Sequence, residues 1–353
     1  MKTIIVGAGI IGSAIAFQMS RAGAQVVVID AGLPAATDNS FGWINASFYA
    51  DAAHHRLRAA SIDAYGRLLT QIPKLPVQMA GALCFEDQGA VLDKMQSDLA
   101  TLGYPVERLK HAQAKALEGD VSGFPTEILR FPSEGAAEVS ACAAALMAAS
   151  GAHVISGVRV TGVLHDDGTV CGVQTDTQQI EGTNVIVAAG TGAPDILASV
   201  GVELPMLTRP GALVTTKQIA AKINHVLVTP HGEVRQMPDG RLLASAVANH
   251  QGDASSDVTE TDDEISARVL AWLDPMIKGD PLEADKVAVA LRPVPEDGLP
   301  VIGQVGPKGL HVAVMHSGVT LAAIVGEAVA AEVMGNTQIY ADLLAPYRPA
   351  RFQ

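Results

Sequence analysis

The sequence predicts an α/β protein built of two interleaved units, one on a largely parallel sheet and the other an α+β unit on an antiparallel sheet. Three observations predict it. The chain opens with a β-branched run, a glycine-rich turn, a helical pattern and a second β-branched run, which together make a βαβ unit. Far downstream, Asn184-Val185-Ile186-Val187-Ala188-Ala189-Gly190 is apolar and bounded by turn residues, as expected of a strand buried on both faces that returns to the first sheet. Between that strand and the C-terminal part, short runs punctuated by proline and Asp-Gly read as antiparallel strands.

In chain order, residues 2–6 form the first strand, 7–12 the turn, 13–21 a helix ended by Gly23, and 25–30 the second strand. Residues 138–150 read as an alanine-rich helix closed by Gly151. A meander follows: a strand over 153–163, a turn at Asp166-Asp167-Gly168 and a strand over 170–175. Over 204–248 the pattern shifts to runs such as 211–216 and 242–246, with Pro230, Pro238 and Asp239-Gly240 between them. Thr261-Asp262-Asp263-Glu264 has capping-box spacing ahead of Ile265, Val269, Leu270 and Leu273, so the acidic cluster is read as a helix start.

A chain of 353 residues is too long for one ordinary domain, and two units are expected. No repeat or long linker separates them, so they interleave: 1–76, 136–204 and 288–353 are assigned to the nucleotide-binding unit, 77–135 and 205–287 to the substrate unit. No apolar run approaches the roughly 20 residues of a bilayer crossing, and MKTIIVGAGIIG lacks the layout of a secretory signal, so a cytoplasmic protein with no transmembrane segment is expected. Lys+Arg 24 against Asp+Glu 37 leaves a net charge of −13, which disfavours nucleic acid and anionic membrane surfaces as partners. A homo-oligomer is compatible with everything in the sequence. The three cysteines, Cys84, Cys142 and Cys171, have no C-x-x-C spacing; buried reduced thiols are expected, with neither a disulfide framework nor a metal site.

Gly7-Ala8-Gly9-Ile10-Ile11-Gly12 matches G-x-G-x-x-G between a strand and a helix, the context that gives this Rossmann-like motif its meaning. Gly7 permits the tight turn, Gly9 lets a pyrophosphate approach the backbone, Gly12 allows close packing of helix on strand, and the helix N-terminus offers N–H groups to the anion. Asp30 ends the second strand 18 residues past Gly12 (30 − 12), near the spacing of about 20 for the acid that binds ribose hydroxyls. Glycines alone do not separate FAD from a nicotinamide nucleotide. The rest of the chain holds no second complete fingerprint, so a flavin enzyme fed by NAD(P)H through a second such domain is disfavoured.

Other segments carry a resemblance. Leu291-Arg292-Pro293, Asp297-Gly298-Leu299-Pro300-Val301-Ile302-Gly303 and His316-Ser317-Gly318-Val319-Thr320-Leu321 resemble, in order and spacing, the closing signature of the FAD-dependent D-amino-acid oxidase and glycine/sarcosine oxidase family. Ser40-Phe41-Gly42-Trp43-Ile44-Asn45-Ala46 is similar to its segment after the second strand, and 185–190 to its second flavin-contacting strand, so the resemblance spans the chain. It implies a Rossmann-like FAD-binding domain interleaved with a substrate domain on an antiparallel sheet, and oxidation of a small amine or amino acid by hydride transfer to flavin N5. Carried over, Ser40 approaches the pyrophosphate or ribityl chain, Val160 the adenine side, Ala189 and Gly190 the dinucleotide, and Gly318, Val319, Thr320 and Leu321 the isoalloxazine edge. Arg292 stands where glycine-oxidase-like relatives clamp a substrate carboxylate, a bidentate task that suits a planar guanidinium. Two departures stand out: Ala31, where many relatives have a basic or larger residue after the ribose acid, and Met315, where glycine commonly precedes the position of His316. Relatives with covalent flavin use a cysteine near the closing signature. Cys171 is the last one here, so noncovalent FAD is implied.

Among the remaining candidates, His316 is either a hydrogen-bonding group to flavin or substrate or a structural histidine. Trp43, Asn45 and Tyr49 either line the flavin face and substrate entry or pack plainly. His54-His55 are adjacent on a helix, point apart and are expected to be exposed, not metal-bound. Two rivals stay open: a nicotinamide-dependent dehydrogenase on the same first unit, and a noncatalytic or electron-passing FAD subunit of a larger complex.

Overall fold

The computed structural model describes residues 1–246 and 254–352; positions 247 and 248, the end of the expected antiparallel stretch, lie outside them. The first sheet has six strands in the spatial order Val301–Gln304, Leu310–Val314, Asn184–Val187, Lys2–Val6, Gln25–Asp30, His153–Ser156. All are parallel except Val301–Gln304, which pairs antiparallel with Leu310–Val314. Alternation along each strand splits the core in two. Ile5, Val28, Ile186 and Ala313 face the helices Ile10–Arg21, Val139–Ser150 and Gly318–Val333. Ile4, Val6, Val27, Val185 and Val312 face the other way, onto Val160, Val163, Val170 and Val173.

Asn184–Val187 pairs in parallel with Lys2–Val6, as its continuous apolar run requires. The opening helix begins at Ile10, three residues before the sequence placed it, because Gly9 has extended backbone and acts as N-cap. The helix of residues 139–150 ends at Gly151, whose φ of 63° is the left-handed cap that glycine supplies most cheaply. The expected strand over 153–163 is in fact two. His153–Ser156 joins the parallel sheet beside Gln25–Asp30, whereas Val160–Asp166 starts a separate three-stranded antiparallel meander with Thr169–Thr175 and Gln179–Glu181. Gly157, with φ of 74°, makes the break. Asp167 and Gly168 both carry positive φ (45° and 72°) and close the hairpin.

The second large sheet has eight strands, in the order Ala284–Leu291, Pro210–Gln218, Arg241–Ser245, Gly232–Gln236, Val226–Thr229, Ala82–Cys84, Glu127–Phe131, Glu107–Lys110. It is antiparallel except where Val226–Thr229 meets Ala82–Cys84. Strands from 82–131 and from 210–291 thus share one sheet although the meander and Asn184–Val187 lie between them in sequence, which is the interleaving expected. One face, formed by Leu227, Val234, Leu242 and Ala244, packs on the helix Asp262–Leu273, capped by Thr261 and Glu264 as the spacing predicts. No helix among the described residues is long and apolar enough to cross a membrane.

Two expectations are corrected by burial. His54 and His55 are 8% and 5% exposed, because the start of the helix Ala52–Gln71 is packed under residues 43–50. His54 Nδ1 accepts from the Ala50 N–H at 3.2 Å, and the His55 ring meets Tyr49 and Tyr104 edge-on. Burial lowers the His54 pKa to about 4, so both rings serve packing in the neutral form. Cys84 and Cys142 are buried as expected, but Cys171 is exposed, lying on the outward face of the meander.

Candidate functional site

A cleft of about 590 Å³ runs between the two sheets. At its nucleotide end Gly7 has φ of 104°, and a Cβ there would sit 2.5 Å from the Ala188 carbonyl oxygen. A Cβ on Gly12 would come within 2.0 Å of the Gly7 carbonyl oxygen. No residue larger than glycine fits either place, so turn, helix and the strand end at Ala188 lie in direct backbone contact. Gly9, Ile10 and Ile11 line the cleft at the helix N-terminus, where Thr37 Oγ1 takes the Ile10 N–H at 3.0 Å. Gly12 lies behind them and does not reach it.

Asp30 lines the cleft beside Ala31 and holds the turn together: Oδ2 accepts the Ala8 N–H at 2.7 Å and Oδ1 the Gly32 N–H at 2.8 Å. Ser40, Val160, Ala189 and Gly190 line the same cavity. At the other end of the cleft the helix Gly318–Val333 starts from Ser317, a non-glycine residue at φ of 57°, with no side chain capping it. Its first turn brings Gly318, Val319 and Thr320 to the cleft, with His316 just before them, whereas Leu321 is fully buried behind. Two helix N-termini therefore open on one elongated cavity, an arrangement that favours negative charge at both ends.

Trp43 and Asn45 also line the cleft; Tyr49 does not, and packs on His55 at a ring distance of 5.2 Å. Thr320 ties the segment in place, donating to Trp43 O at 3.1 Å and accepting from Asn45 N at 3.3 Å. Behind the segment lie two charges that sequence reasoning missed. Arg58, 1% exposed, donates from Nε to the Asn45 carbonyl at 3.0 Å and from Nη2 to Asn45 Oδ1. Glu134, also fully buried, accepts from Trp43 Nε1 at 3.0 Å, Ala46 N at 3.1 Å, Ser47 N at 2.9 Å and Tyr104 OH at 2.9 Å. The Asn45–Ala46 peptide is thus held from its carbonyl by a cation and from its N–H by a carboxyl group. Burial brings the Arg58 pKa down to about 10, which leaves it charged at neutral pH, and pushes Glu134 up to about 7. A signal for Arg58 existed: with Ser61, Tyr65 and Leu68 it recurs on the apolar stripe of its helix. Glu134 gives none beyond being an acid between Pro132 and a run of small residues.

Arg292 reaches the cleft from the end of the strand Ala284–Leu291, with Nη2 donating to Pro210 O at 3.1 Å and Nε to Arg209 O at 3.3 Å. Its stem lies over Gly211, where a Cβ would meet Arg292 Cδ at 3.4 Å. Facing it across the eight-stranded sheet, Glu233 and Ser245 complete the wall.

Fold and cleft together define an α/β protein of the dinucleotide-binding class with its candidate site between two sheets. The family model for FAD-dependent oxidoreductases, DAO, matches residues 2–332. The oxidoreductase YurR of Bacillus subtilis is 30% identical, covering 98% of both chains. Glycine oxidase of Pseudomonas aeruginosa is 29% identical over 54% of this chain and 52% of its own. Among solved structures, glycine oxidase from Geobacillus kaustophilus superposes with a TM-score of 0.85 at 20% identity, covering 99% of this chain and 98% of that one. The chain belongs to the DAO family of FAD-dependent oxidoreductases, and FAD is its cofactor. The glycine cradle at Gly7 and Gly12 and the two helix N-termini at Ile10 and Gly318 that open on the cleft are the features that fit it.

Proposed function

We propose that this oxidoreductase acts on a small amine that carries a carboxylate, such as glycine, sarcosine, a D-amino acid or a cyclic imino acid, and converts it to the imine. The observation that carries this reading is Arg292, a guanidinium brought to the cleft wall with its stem lying over Gly211. A planar fork of donors suits a carboxylate, and an anchored carboxylate orients the adjacent carbon. Bound FAD supplies the hydride acceptor. The chain supplies the rest: Arg292 orients the substrate, the Thr320-tied segment bearing Trp43 and Asn45 forms one wall, and the first turn of the helix Gly318–Val333 offers N–H groups to negative charge. The activities of relatives point the same way: glycine oxidase, the D-amino acid dehydrogenase of Rhizorhabdus wittichii at 24% identity, and, among structures, an iminodiacetate oxidase from Chelativorans at a TM-score of 0.83. We assign residues 1–76, 136–204 and 288–353 to the FAD unit, with 77–135 and 205–287 as the substrate unit, and take the flavin to be held without a covalent bond.

The test is anaerobic visible spectroscopy of the purified protein mixed in turn with sarcosine, glycine, D-alanine, D-proline and hydroxyproline isomers, then NADH. Bleaching of the flavin by one of the amines is the expected result and identifies the substrate. Bleaching by NADH alone overturns the reading in favour of a nicotinamide-linked enzyme, and no bleaching at all in favour of an electron-passing subunit. Acid precipitation should leave all of the flavin in the supernatant; yellow pellet overturns the noncovalent assignment.

A further inference from the structure

We propose that Glu233 receives the substrate's amine and takes its proton before hydride leaves, an inference that rests on the amine-oxidising reading above. The strand Gly232–Gln236 alternates. Val234 points into the apolar core with Val214 and Ala244, so Glu233 and Arg235 project from the opposite face, towards the FAD-binding sheet. Arg235 is engaged in docking, with Nε on Phe41 O at 2.6 Å and Nη1 on Glu138 Oε1 at 2.5 Å. Glu233 is the acid on that face, and it lines the cleft at only 5% exposure. Ser245 sets its orientation, accepting from Glu233 N at 2.9 Å and donating to Glu233 Oε2 at 2.5 Å.

Its placement relative to Arg292 follows from the register. Ser245 lies directly opposite Leu213, and Gly211, which carries the Arg292 stem, is two residues along the same strand and therefore on the same face. With strands about 4.8 Å apart and about 3.4 Å of rise per residue, the Gly211 and Ser245 backbones are about 8 Å apart. The Arg292 stem lies over Gly211 and the Glu233 carboxylate is held at Ser245, with Leu213 between them, a separation of the order that one zwitterionic amino acid hydrogen-bonded at both ends would bridge. Carboxylate would bind at Arg292 and ammonium at Glu233, which places the carbon between them against the cleft.

The chemistry needs the ammonium to lose a proton first, because an ammonium has no lone pair to form a C=N bond, and at neutral pH a carboxylate beside it provides the acceptor. In the step proposed, an N–H proton passes from the ammonium to the Glu233 carboxylate, leaving a neutral amine. With FAD bound as the hydride acceptor, the C–H bond would break with its electron pair and the nitrogen lone pair would form the C=N bond of the iminium. Water releases the carbonyl product and ammonium or amine, and the Glu233 proton returns to solvent.

The experiment uses the flavin-loaded protein and Glu233→Gln, which keeps the shape and a hydrogen bond to Ser245. The anaerobic bleaching rate with the reactive amine is followed against pH. Glu233→Gln should lose about 100-fold at neutral pH and recover towards wild type above about pH 10, where the free amine arrives neutral. A binding readout stands beside it: flavin absorbance is titrated with glycine and with acetate, which keeps the carboxylate and lacks the amine. The variant should weaken glycine at least about 10-fold and leave acetate unchanged or tighter. Glu233→Asp, which keeps the charge, should retain the wild-type pH profile. Equal loss at every pH, equal weakening of both ligands, or no loss overturns the proposal while leaving the amine-oxidase reading intact. A wild-type flavin that no amine bleaches overturns that reading and this proposal with it.

Discussion

Replacing Glu134 with glutamine isolates the buried carboxyl that grips the cleft segment. In the unfolded chain this group ionises near 4.5, whereas in the folded chain burial holds its proton until about pH 7, against the pull of its hydrogen-bond donors. Between those values the native state binds more protons than the unfolded one, so stability falls as pH rises through the window and levels off above pH 7. A pKa gap of this size corresponds to roughly 3 kcal/mol, most of it crossed between about pH 5 and pH 8. Glu134→Gln cannot titrate. It keeps one oxygen for Ala46, Ser47 and Tyr104 and turns an NH2 group towards Trp43 Nε1, a cost that is the same at every pH and cancels in the comparison. Urea unfolding of the flavin-loaded protein and the variant at about pH 5 and about pH 8 measures the difference. Wild type should lose roughly 2 to 3 kcal/mol more than the variant on going to the higher pH. Parallel profiles would refute the assignment of a raised pKa to this buried group.

Gly12→Ala should abolish flavin retention, because its Cβ would lie 2.0 Å from a backbone oxygen that no rotamer change can move; a yellow, fully loaded variant would contradict the cradle. Arg292→Met should lower kcat/KM for a carboxylate-bearing amine by roughly 10- to 150-fold, the value of a charge-assisted hydrogen-bond pair, and leave the flavin spectrum unchanged. Charge reversal, Arg292→Glu, should cost more, and an unaltered kcat/KM in either would assign Arg292 to structure alone. A thiol reagent should label Cys171 in the native protein at once, whereas Cys84 and Cys142, whose thiols burial pushes up, should react only on unfolding; mass spectrometry of the labelled protein decides it.

The opening βαβ unit was legible because every one of its signals is local. Strand period, three glycines and a terminal acid all fall within residues 2–30, and each answers to one backbone requirement. The capping box at Thr261 and the strand Asn184–Val187 were legible for the same reason. The break at Gly157 was not, since two adjacent β-branched runs look alike whether they enter one sheet or two. His54 and His55 were read as exposed because a helix pattern states which faces differ, not which neighbour covers them.

Glu134 and Arg58 show where local reading stops. They lie 76 residues apart (134 − 58), and only the fold brings both to the Asn45–Ala46 peptide. Likewise Glu233 and Arg292 come to one wall through pairing of strands from distant segments. By itself the sequence determined the fold class and the dinucleotide motif, since periodicity and backbone permissiveness are properties of short stretches, whereas Arg292 was singled out through the family resemblance. The tertiary structure alone decided which buried charges meet at the cleft, because the distance between two side chains depends on how sheets stack and register, which no single segment encodes.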